Sequence, residues 1–241
     1  MYHSITFDDK NTWDDWCLIP NGRPVFTPPE QKTNYLDIPG ANGSLDMSEA
    51  LTGYPVYNNR EGTFSFIIMN KNAVSYPECN PRKLDDIYSE IMSYLHGKVR
   101  TAILEDDPGY KYKGRFRVSG ITPGADWTTI DIDYNVNPFK RSINGSINNW
   151  EVDNTVKTIS LSSIEIGDEA VCPNFIVTST NGQGVYVRLI NPTLNIDKTK
   201  LFQNGTSSDH DFILYGDNVE IKLYTSSGTG SVAIEFYPGR L

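Results

Sequence analysis

Acidic residues are the side chains of this sequence best suited to acid–base chemistry, and they form two short clusters. One lies at 106–109 (Asp-Asp-Pro-Gly) and the other at 209–211 (Asp-His-Asp). A glycosidase holds two carboxylates on opposite sides of a sugar, a separation in space that neither spacing specifies. The first cluster has the composition of a turn, and the second lies in a polar loop entering a predicted strand. We interpret both as turn or surface residues.

No motif for nucleophilic catalysis, phosphate binding or metal binding is present in the sequence. The G-x-S-x-G, Walker and G-x-G-x-x-G patterns are all missing. The histidines at 3, 96 and 210 lack HExxH spacing, and neither acidic cluster has the ligand pattern of an EF-hand loop. We assign His96 to a helix C-terminus, where a cation is favourable. The sequence therefore predicts a non-enzyme with no catalytic residue, no metal and no cofactor.

Aromatic residues in the second half of the chain could serve a different chemistry, which is stacking on a sugar ring. The candidate saccharide contacts are Trp150, Tyr186, Tyr215 and Tyr224. Most of them fall at alternating positions of predicted strands, so packing in a core is the alternative interpretation. The sequence leaves both interpretations open.

Size and charge limit the classes of function. The chain has 241 residues, which is enough for two ordinary domains. Its 21 Lys+Arg against 30 Asp+Glu give a net charge of −9, which opposes a DNA-reading role. No apolar run approaches the roughly 20 residues that span a bilayer, and the Asp-rich first residues lack an export pattern. We expect synthesis in a cytoplasm and no membrane partner.

The three cysteines do not suggest metal or redox chemistry. Cys17, Cys79 and Cys172 are odd in number, far apart and free of CxxC spacing. We expect reduced and mostly buried thiols.

The elements that must position these residues are mainly β-strands, with one helix predicted at about 81–96. Asn80 is a favourable N-cap, and Pro81 suits the first helical position. An apolar stripe with spacings of three and four comprises Leu84, Ile87, Tyr88, Ile91, Met92 and Leu95. Gly97 suits the C-terminal end. We expect this helix to pack on a sheet.

A long hairpin over 110–136 follows the helix and carries charge on one face. Because side chains alternate across a strand, the first strand presents a basic row of Lys111, Lys113, Arg115 and Arg117. The return strand presents Asp131 and Asp133 on the same side. Two interpretations stay open: a salt-bridged hairpin that faces water, or a row that contacts a neighbouring subunit.

The second half of the chain reads as a separate domain. The polar segment 142–146 suits a boundary, so the predicted domains are 1–141 and 142–241. Beyond it, short apolar-alternating runs, including one at 210–215, are separated by Gly, Asn, Asp and Ser turns. This regular succession of short strands and turns predicts an antiparallel β-sandwich.

An ordered set of features within 1–141 is more specific than any of its parts. The features are a strand at 5–9 with Trp16, a hairpin at 38–46, a strand at 60–68, a helix ending at 95–97, Asp-Pro-Gly-Tyr at 107–110, Gly114, the Trp127 hairpin and Pro138-Phe139. In order and spacing they resemble the N-terminal domain of the distal tail protein (Dit) family of long-tailed, non-contractile phages. No residue-level match extends into the second domain.

The resemblance implies a mainly-β structural protein of the virion. Its N-terminal domain would be a tail-tube-like β-sandwich with one α-helix that forms a homo-hexameric ring, through which DNA passes without specific binding. Its C-terminal domain would be a galectin-like or carbohydrate-module-like β-sandwich that projects outward and docks the adsorption apparatus. The implied partners are the tail tube protein, tail-tip proteins and receptor-binding proteins. The family has no catalytic residues to carry over.

On this basis the leading hypothesis is a distal tail or baseplate-hub protein at the phage tail tip. We expect inter-subunit or lumen contacts from the 40–53 hairpin region, which includes Asn42, and from the charged rows of the 110–136 hairpin. The alternative is an adsorption module of the same tail that recognises host-surface saccharide through the second domain.

Overall fold

The structure is a computed structural model that describes residues 3–69, 84–124 and 127–241. The elements of the first part of the chain are β1 Ile5–Phe7, β2 Lys10–Asn11, β3 Ile19–Pro20, β4 Tyr35–Asp37, β5 Ser44–Asp46, β6 Arg60–Met69, α1 Leu84–Leu95, β7 Lys98–Leu104, β8 Tyr110–Pro123, β9 Trp127–Val136 and β10 Lys140–Ser142. Those of the second part are β11 Ser146–Val152, β12 Lys157–Leu161, α2 Ser163–Ile166, β13 Asn174–Ser179, β14 Val185–Asn191, β15 Ile196–Phe202, β16 Gly205–Ser208, β17 Val219–Tyr224, β18 Gly230–Phe236 and β19 Gly239–Arg240. The predicted mainly-β fold is confirmed.

The chain divides into two compact units. The first comprises Met1–Lys32 and Tyr57–Lys140, and the second comprises Thr33–Val56 and Arg141–Leu241. The division after Lys140 lies close to the predicted boundary, but the segment 33–56 groups with the C-terminal residues. Domains 1–141 and 142–241 as independent folding units stay a prediction.

The first unit is built on one antiparallel sheet in the order β2-β1-β7-β8-β9-β6-β3. Its core includes Phe66 and Ile130 from the sheet, and Phe7 packs edge-on against Phe116 with ring centroids 4.9 Å apart. Three residues of α1 complete this core, namely Ile87, Ile91 and Leu95. The helix therefore packs on the sheet through the predicted apolar stripe. Its predicted start at Asn80 and Pro81 lies outside the described residues.

Two glycines of the first unit occupy positions where a side chain would be strained or would clash. Gly97 follows α1 with φ of +70°, the left-handed conformation that ends many helices. Gly62 in β6 lies under the ring of Tyr134, where an added Cβ would come within 2.4 Å of the phenol oxygen. The aromatic packing of β6 against β9 thus depends on a missing side chain.

The second unit is an antiparallel β-sandwich, as predicted. Its two four-stranded sheets have the orders β11-β18-β13-β16 and β12-β17-β14-β15. Side chains alternate between buried and outward positions along both sheets. The inward side chains share one core, which includes Phe175, Phe202, Phe212, Phe236, Ile221 and Ile234.

The predicted strand at 210–215 is wrong. The backbone N–H groups of Asp211 and Phe212 donate to the side chain and the carbonyl of Asp209, at 2.9 and 3.0 Å, and this closes a turn. Only Leu214 makes an isolated bridge, to Val171. Phe212 and Leu214 are nevertheless both buried. Alternating burial therefore occurs here without a strand ladder, which explains the error.

Several elements of the second unit escaped the sequence analysis because their residues are polar. β15 has the charged sequence Ile-Asp-Lys-Thr-Lys-Leu-Phe and lies at an edge of its sheet. The short helix α2 begins after Ser162, whose N–H donates to the Glu165 carboxylate at 2.9 Å in a capping box. Both signals are local hydrogen-bonding or edge-strand patterns rather than apolar periodicity.

The expectation for the cysteines is also wrong. Cys17 is disulfide-bonded, and Cys172 is a free, exposed thiol. Cys79 lies outside the described residues. Sequence spacing reports only separation along the chain, whereas a disulfide requires proximity in space.

Candidate functional site

The basic row predicted for the long hairpin lies on the outer face of the first unit's sheet. In β8, the inward side chains of Tyr112, Phe116 and Val118 are buried in the core. The opposite face carries Lys111, which is half-buried, and the exposed side chains of Lys113, Arg115 and Arg117. The alternation that the sequence predicts is therefore the one observed.

One of the predicted acidic partners pairs with this row. Asp133 lies directly opposite Arg117 in the β8–β9 ladder, and their side chains form an ion pair at 2.6 Å. The Thr63 hydroxyl donates to the same carboxylate at 2.7 Å. The Arg117 guanidinium, and more weakly the Thr63 hydroxyl, hold the pKa of Asp133 below its usual value.

The second predicted acidic partner, Asp131, does not lie opposite a basic residue in the ladder. A bulge between Val118 and Gly120 places Gly120 opposite Asp131. Arg115 donates instead to the carbonyl of Gly97 at 2.7 Å, and Lys113 makes no ion pair within the described part of the chain. The strand β8 thus carries four basic residues, of which Arg117 pairs with Asp133 of β9. Both interpretations of the hairpin, a salt-bridged surface facing water and a contact with a neighbouring subunit, stay predictions.

Two shallow cavities lie along this charged face of the first unit. Their volumes are about 710 and 470 Å³, and both include Glu61 and Asn135 in their walls. The side chains of these two residues are hydrogen-bonded to each other. The smaller cavity also includes Arg115, Arg117 and Asp133. The larger cavity has mainly polar walls, whereas the walls of the smaller one are more apolar.

A second candidate surface is the segment 33–56, which we call the arm. Its hairpin pairs Tyr35 with Asp46, Leu36 with Leu45 and Asp37 with Ser44. By strand alternation, one face of this hairpin is formed by Leu36, Ile38, Leu45 and Met47. All four are exposed, Leu36 by 55% and Leu45 by 48%. A two-stranded ribbon with an uncovered apolar face is an unusual surface for a soluble chain.

Asn42, the predicted contact residue of this region, lies exposed in the turn between β4 and β5. The flanking glycines Gly40 and Gly43 have φ of +88° and +78°, as a tight turn requires. Asn42 belongs to the second unit and the basic row to the first. Each is therefore described as a surface of its own unit.

The aromatic candidates for saccharide binding do not converge on one site. Tyr186 and Tyr224 face each other across β14 and β17, with ring centroids 5.2 Å apart and planes inclined by 10°. Trp150 lies in the other sheet, half-buried against the core. Tyr215 packs against Tyr54, with centroids 5.1 Å apart. Since the paired tyrosines turn one ring face toward each other, each has at most one face left for a sugar.

The acidic clusters are engaged in ion pairs. Asp106 accepts from His3 and Arg23, each at 2.8 Å, and its pKa is lowered chiefly by the hydrogen bond to His3. Asp107 pairs with Lys140 at 2.7 Å. In the second cluster, the cationic partners are Lys200 for Asp209 and Lys198 for Asp211. Among the residues described, no group of three or more His, Cys, Asp or Glu is placed to hold a metal ion.

A buried arginine is a further feature that the sequence analysis missed. Arg60 is 5% exposed and donates from Nε to the carbonyl of Pro138 at 2.7 Å and from Nη1 to that of Thr27 at 3.1 Å. Burial lowers its pKa. Its Nη2 has no hydrogen-bond partner among the described residues. The guanidinium joins three segments of the first unit.

The apolar face of the arm is the other feature that was missed. Its signal was present, because apolar residues occupy positions 36, 38, 45 and 47 on either side of the turn. That alternation normally predicts a covered face.

We find no helix long and apolar enough to span a membrane in the described ranges.

Comparison with known proteins gives a match at the level of structure alone. No protein-family model and no curated protein matches the sequence. The fold is similar to the crystal structure of Dit (gp 19.1) from phage SPP1, described as a paradigm of the hub adsorption apparatus in phages that infect Gram-positive bacteria. The TM-score is 0.62 at 14% identity, over 98% of this chain and 100% of that chain. The predicted resemblance is confirmed as a shared fold.

Proposed function

We propose that this chain is a distal tail protein, a structural hub at the tail tip of a long-tailed, non-contractile phage. In this function, the first unit forms a homo-hexameric ring that continues the tail tube, and the second unit holds tail-tip and receptor-binding proteins. DNA passes through the ring without specific binding. The chain is made in the bacterial host and acts in the virion rather than as an enzyme.

The observation that carries this proposal is the extent of the structural likeness. It covers 98% of this chain and the whole of the Dit structure, so both units are included. The features of 1–141 that resemble the Dit family were identified from the sequence alone. Two lines of argument, from ordered sequence features and from the full-length fold, therefore support the same family.

The exposed surfaces also favour assembly. A ring uses one surface on each side of the subunit, and these two surfaces differ from each other. The first unit offers a charged sheet face that carries the basic row of β8, and the arm offers an exposed apolar face. The net charge of −9 for the whole chain is compatible with a channel to which DNA does not adhere.

The saccharide-binding alternative has less support. Its candidate residues lie at three different places, and the one aromatic pair, Tyr186 and Tyr224, uses ring faces for mutual stacking. Sugar binding through this pair stays a prediction. A glycan array that compares the native chain with Tyr186→Ala tests it, and binding lost in the variant would revive the alternative.

Light scattering of the purified protein, with negative-stain imaging of the main peak, tests the proposed function. We expect a hexamer, or two stacked hexamers, with a central hole. Duplex DNA should show no measurable affinity for this ring at physiological salt. A strict monomer across a wide concentration range would overturn the proposal of a self-assembling ring.

A further inference from the structure

We propose that Asn42, at the tip of the arm hairpin, is a site of spontaneous deamidation, in which solvent water converts the side-chain amide to an acid. The residue that follows it is Gly43. This inference concerns covalent chemistry of the chain itself and does not depend on the proposed ring. The product would carry a new carboxylate on an exposed turn.

The reaction joins two groups of adjacent residues. The backbone nitrogen of Gly43 attacks Cγ of Asn42 to form a cyclic imide, the Cγ–Nδ2 bond breaks, and Nδ2 leaves as ammonia with the proton of the Gly43 N–H. Water then adds to one of the two imide carbonyl carbons, and the bond from that carbon to the nitrogen breaks. The products are aspartate and isoaspartate. Glycine favours the first step because it has no Cβ to hinder the approach and its backbone is the most permissive.

The sequence contains five Asn-Gly steps and does not distinguish among them. They begin at Asn21, Asn42, Asn144, Asn181 and Asn204. All five asparagines are exposed. Because the same two residue types would react at every step, any difference in rate must come from the groups that the fold holds in place.

Hydrogen bonds hold two of these steps, which we call the locked steps. Asn204 accepts from the N–H of Ser179 at 2.8 Å and donates from Nδ2 to the carbonyl of the same residue at 3.3 Å. Asn181 donates from Nδ2 to the carbonyl of Ser227 at 2.7 Å, and the N–H of Gly182 donates to the Ser179 carbonyl at 3.3 Å. The leaving amide is held in both steps, and the attacking nitrogen is also engaged in the second. Each locked step must therefore open locally before it can react.

The tip of the arm has no comparable restraint. Among the described residues, neither the Asn42 amide nor the Gly43 N–H has a hydrogen-bond partner. A Cβ added to Gly43 would have no heavy atom within 4 Å, and its φ is +78°. Positions 41–45 are all exposed. The attacking nitrogen and the leaving amide are therefore free to reach the geometry of attack.

The other two steps are restrained on one side. Asn21 donates its backbone N–H to the carbonyl of Ser65 at 2.8 Å. Gly145, which follows Asn144, is half-buried beside the ring of Tyr237, where an added Cβ would come within 3.0 Å. The two side-chain amides have no hydrogen bond in the described part of the chain. These steps rank between the arm tip and the locked steps.

The reaction changes the charge of the arm. Residues 33–56 contain Asp37, Asp46 and Glu49 and no Lys or Arg, so conversion of Asn42 adds a fourth negative charge. No cation of the arm compensates it. Newly made and aged chains therefore present different electrostatic surfaces at this hairpin.

Peptide mass spectrometry of the full chain tests the assignment. The chain is kept folded and dilute in mildly alkaline buffer, and samples taken at successive times are digested so that the five steps lie in separate peptides. We expect conversion at Asn42 first, and conversion at Asn181 and Asn204 slower by about tenfold or more, because their hydrogen bonds must break beforehand. Two products of equal mass at Asn42, one with aspartate and one with isoaspartate, would identify the imide route.

Two controls separate the effect of the fold from that of the sequence. In urea, where the hydrogen bonds of the locked steps are lost, all five rates should become similar. Gly43→Ala should suppress conversion at Asn42 and leave the rates at Asn21 and Asn144 unchanged, since it adds a Cβ at the attacking residue. Conversion of any other step as fast as Asn42 in the folded chain would overturn the inference, and so would unequal rates that persist in urea.

Discussion

Two hairpins of this protein follow the same alternating sequence rule and reach opposite outcomes. In the β8–β9 hairpin, the apolar face is buried in the core of its own unit, where Phe116 and Ile132 are inaccessible to solvent. In the β4–β5 hairpin of the arm, the apolar face formed around Leu36 and Leu45 is exposed. Apolar residues at alternate strand positions thus define an apolar face. They do not determine whether that face is buried within its own chain. The difference shows that the same pattern can leave an apolar face exposed within its own chain.

The largest expected effect comes from the buried face. Phe116→Ala should lower the free energy of unfolding by about 3–5 kcal/mol, because it removes a fully buried ring that packs edge-on against Phe7. Urea unfolding followed by circular dichroism measures this loss. A loss below about 1 kcal/mol would mean that the β8 face is not the core of the first unit.

The close contact beneath Tyr134 gives the next effect. Gly62→Ala should cost about 1–3 kcal/mol, because the new methyl group would overlap the phenol ring and force it to move. Gly109→Ala is the matched control, since an added Cβ there has no heavy atom within 4 Å. Comparable losses in both variants would indicate a backbone effect and contradict the packing argument.

On the outer face of the same hairpin, the ion pair between Arg117 and Asp133 should make the stability of the fold depend on pH. The pKa of Asp133 is lower in the folded chain, so its pair with Arg117 stabilises the fold above the ordinary Asp range and loses this contribution as the pH falls below about 4. Screening at this partly exposed site limits the effect to about 1 kcal/mol or less. Between neutral pH and about pH 3, the native chain should therefore lose more stability than Asp133→Asn.

Arg117→Gln is the control for this pH dependence, because it removes the same ion pair from the side of the cation. It should reduce the loss of stability in acid in the same direction as Asp133→Asn. An Asp133→Asn profile that coincides with the native one would remove Arg117–Asp133 as a source of stability.

The smallest effect on stability is expected in the arm. Leu45→Ala should change the free energy of unfolding by about 0.5 kcal/mol or less when measured on dilute monomer, because the side chain is already half exposed. The same substitution should weaken self-association measurably. A loss as large as that of Phe116→Ala would show that the arm is covered within its own chain and would abolish the contrast between the two hairpins.

Much of the fold could be predicted from local sequence patterns. The strands around 60–68 and 127–136, the apolar stripe of α1 and the sandwich of the second unit follow from periodicity within a few residues. The strand predicted at 210–215 failed because buried alternation occurred in a turn closed by Asp209. The charged edge strand β15 was missed because an edge needs little apolar sequence.

The candidate site was predictable only in part. The basic row and its outward direction followed from alternation along β8. The pairing of charges depended on the β-bulge between Val118 and Gly120, which places Gly120 opposite Asp131. A bulge is a property of two paired strands, so the sequence of one strand does not predict it. The dispersal of Trp150, Tyr186, Tyr215 and Tyr224 depended likewise on strand order in two sheets.

By itself, the sequence determined the mainly-β character of this protein, its acidic surface, its lack of catalytic motifs and the order of elements that resembles the distal tail family. These properties depend on composition and on periodicities of two or three to four residues, which are local. Only the tertiary structure decided that Asp133 pairs with Arg117, that Tyr186 stacks on Tyr224 and that the apolar face of the arm stays uncovered. Each of these is a contact, or a missing contact, between segments far apart in the chain, and strand pairing in space sets such contacts.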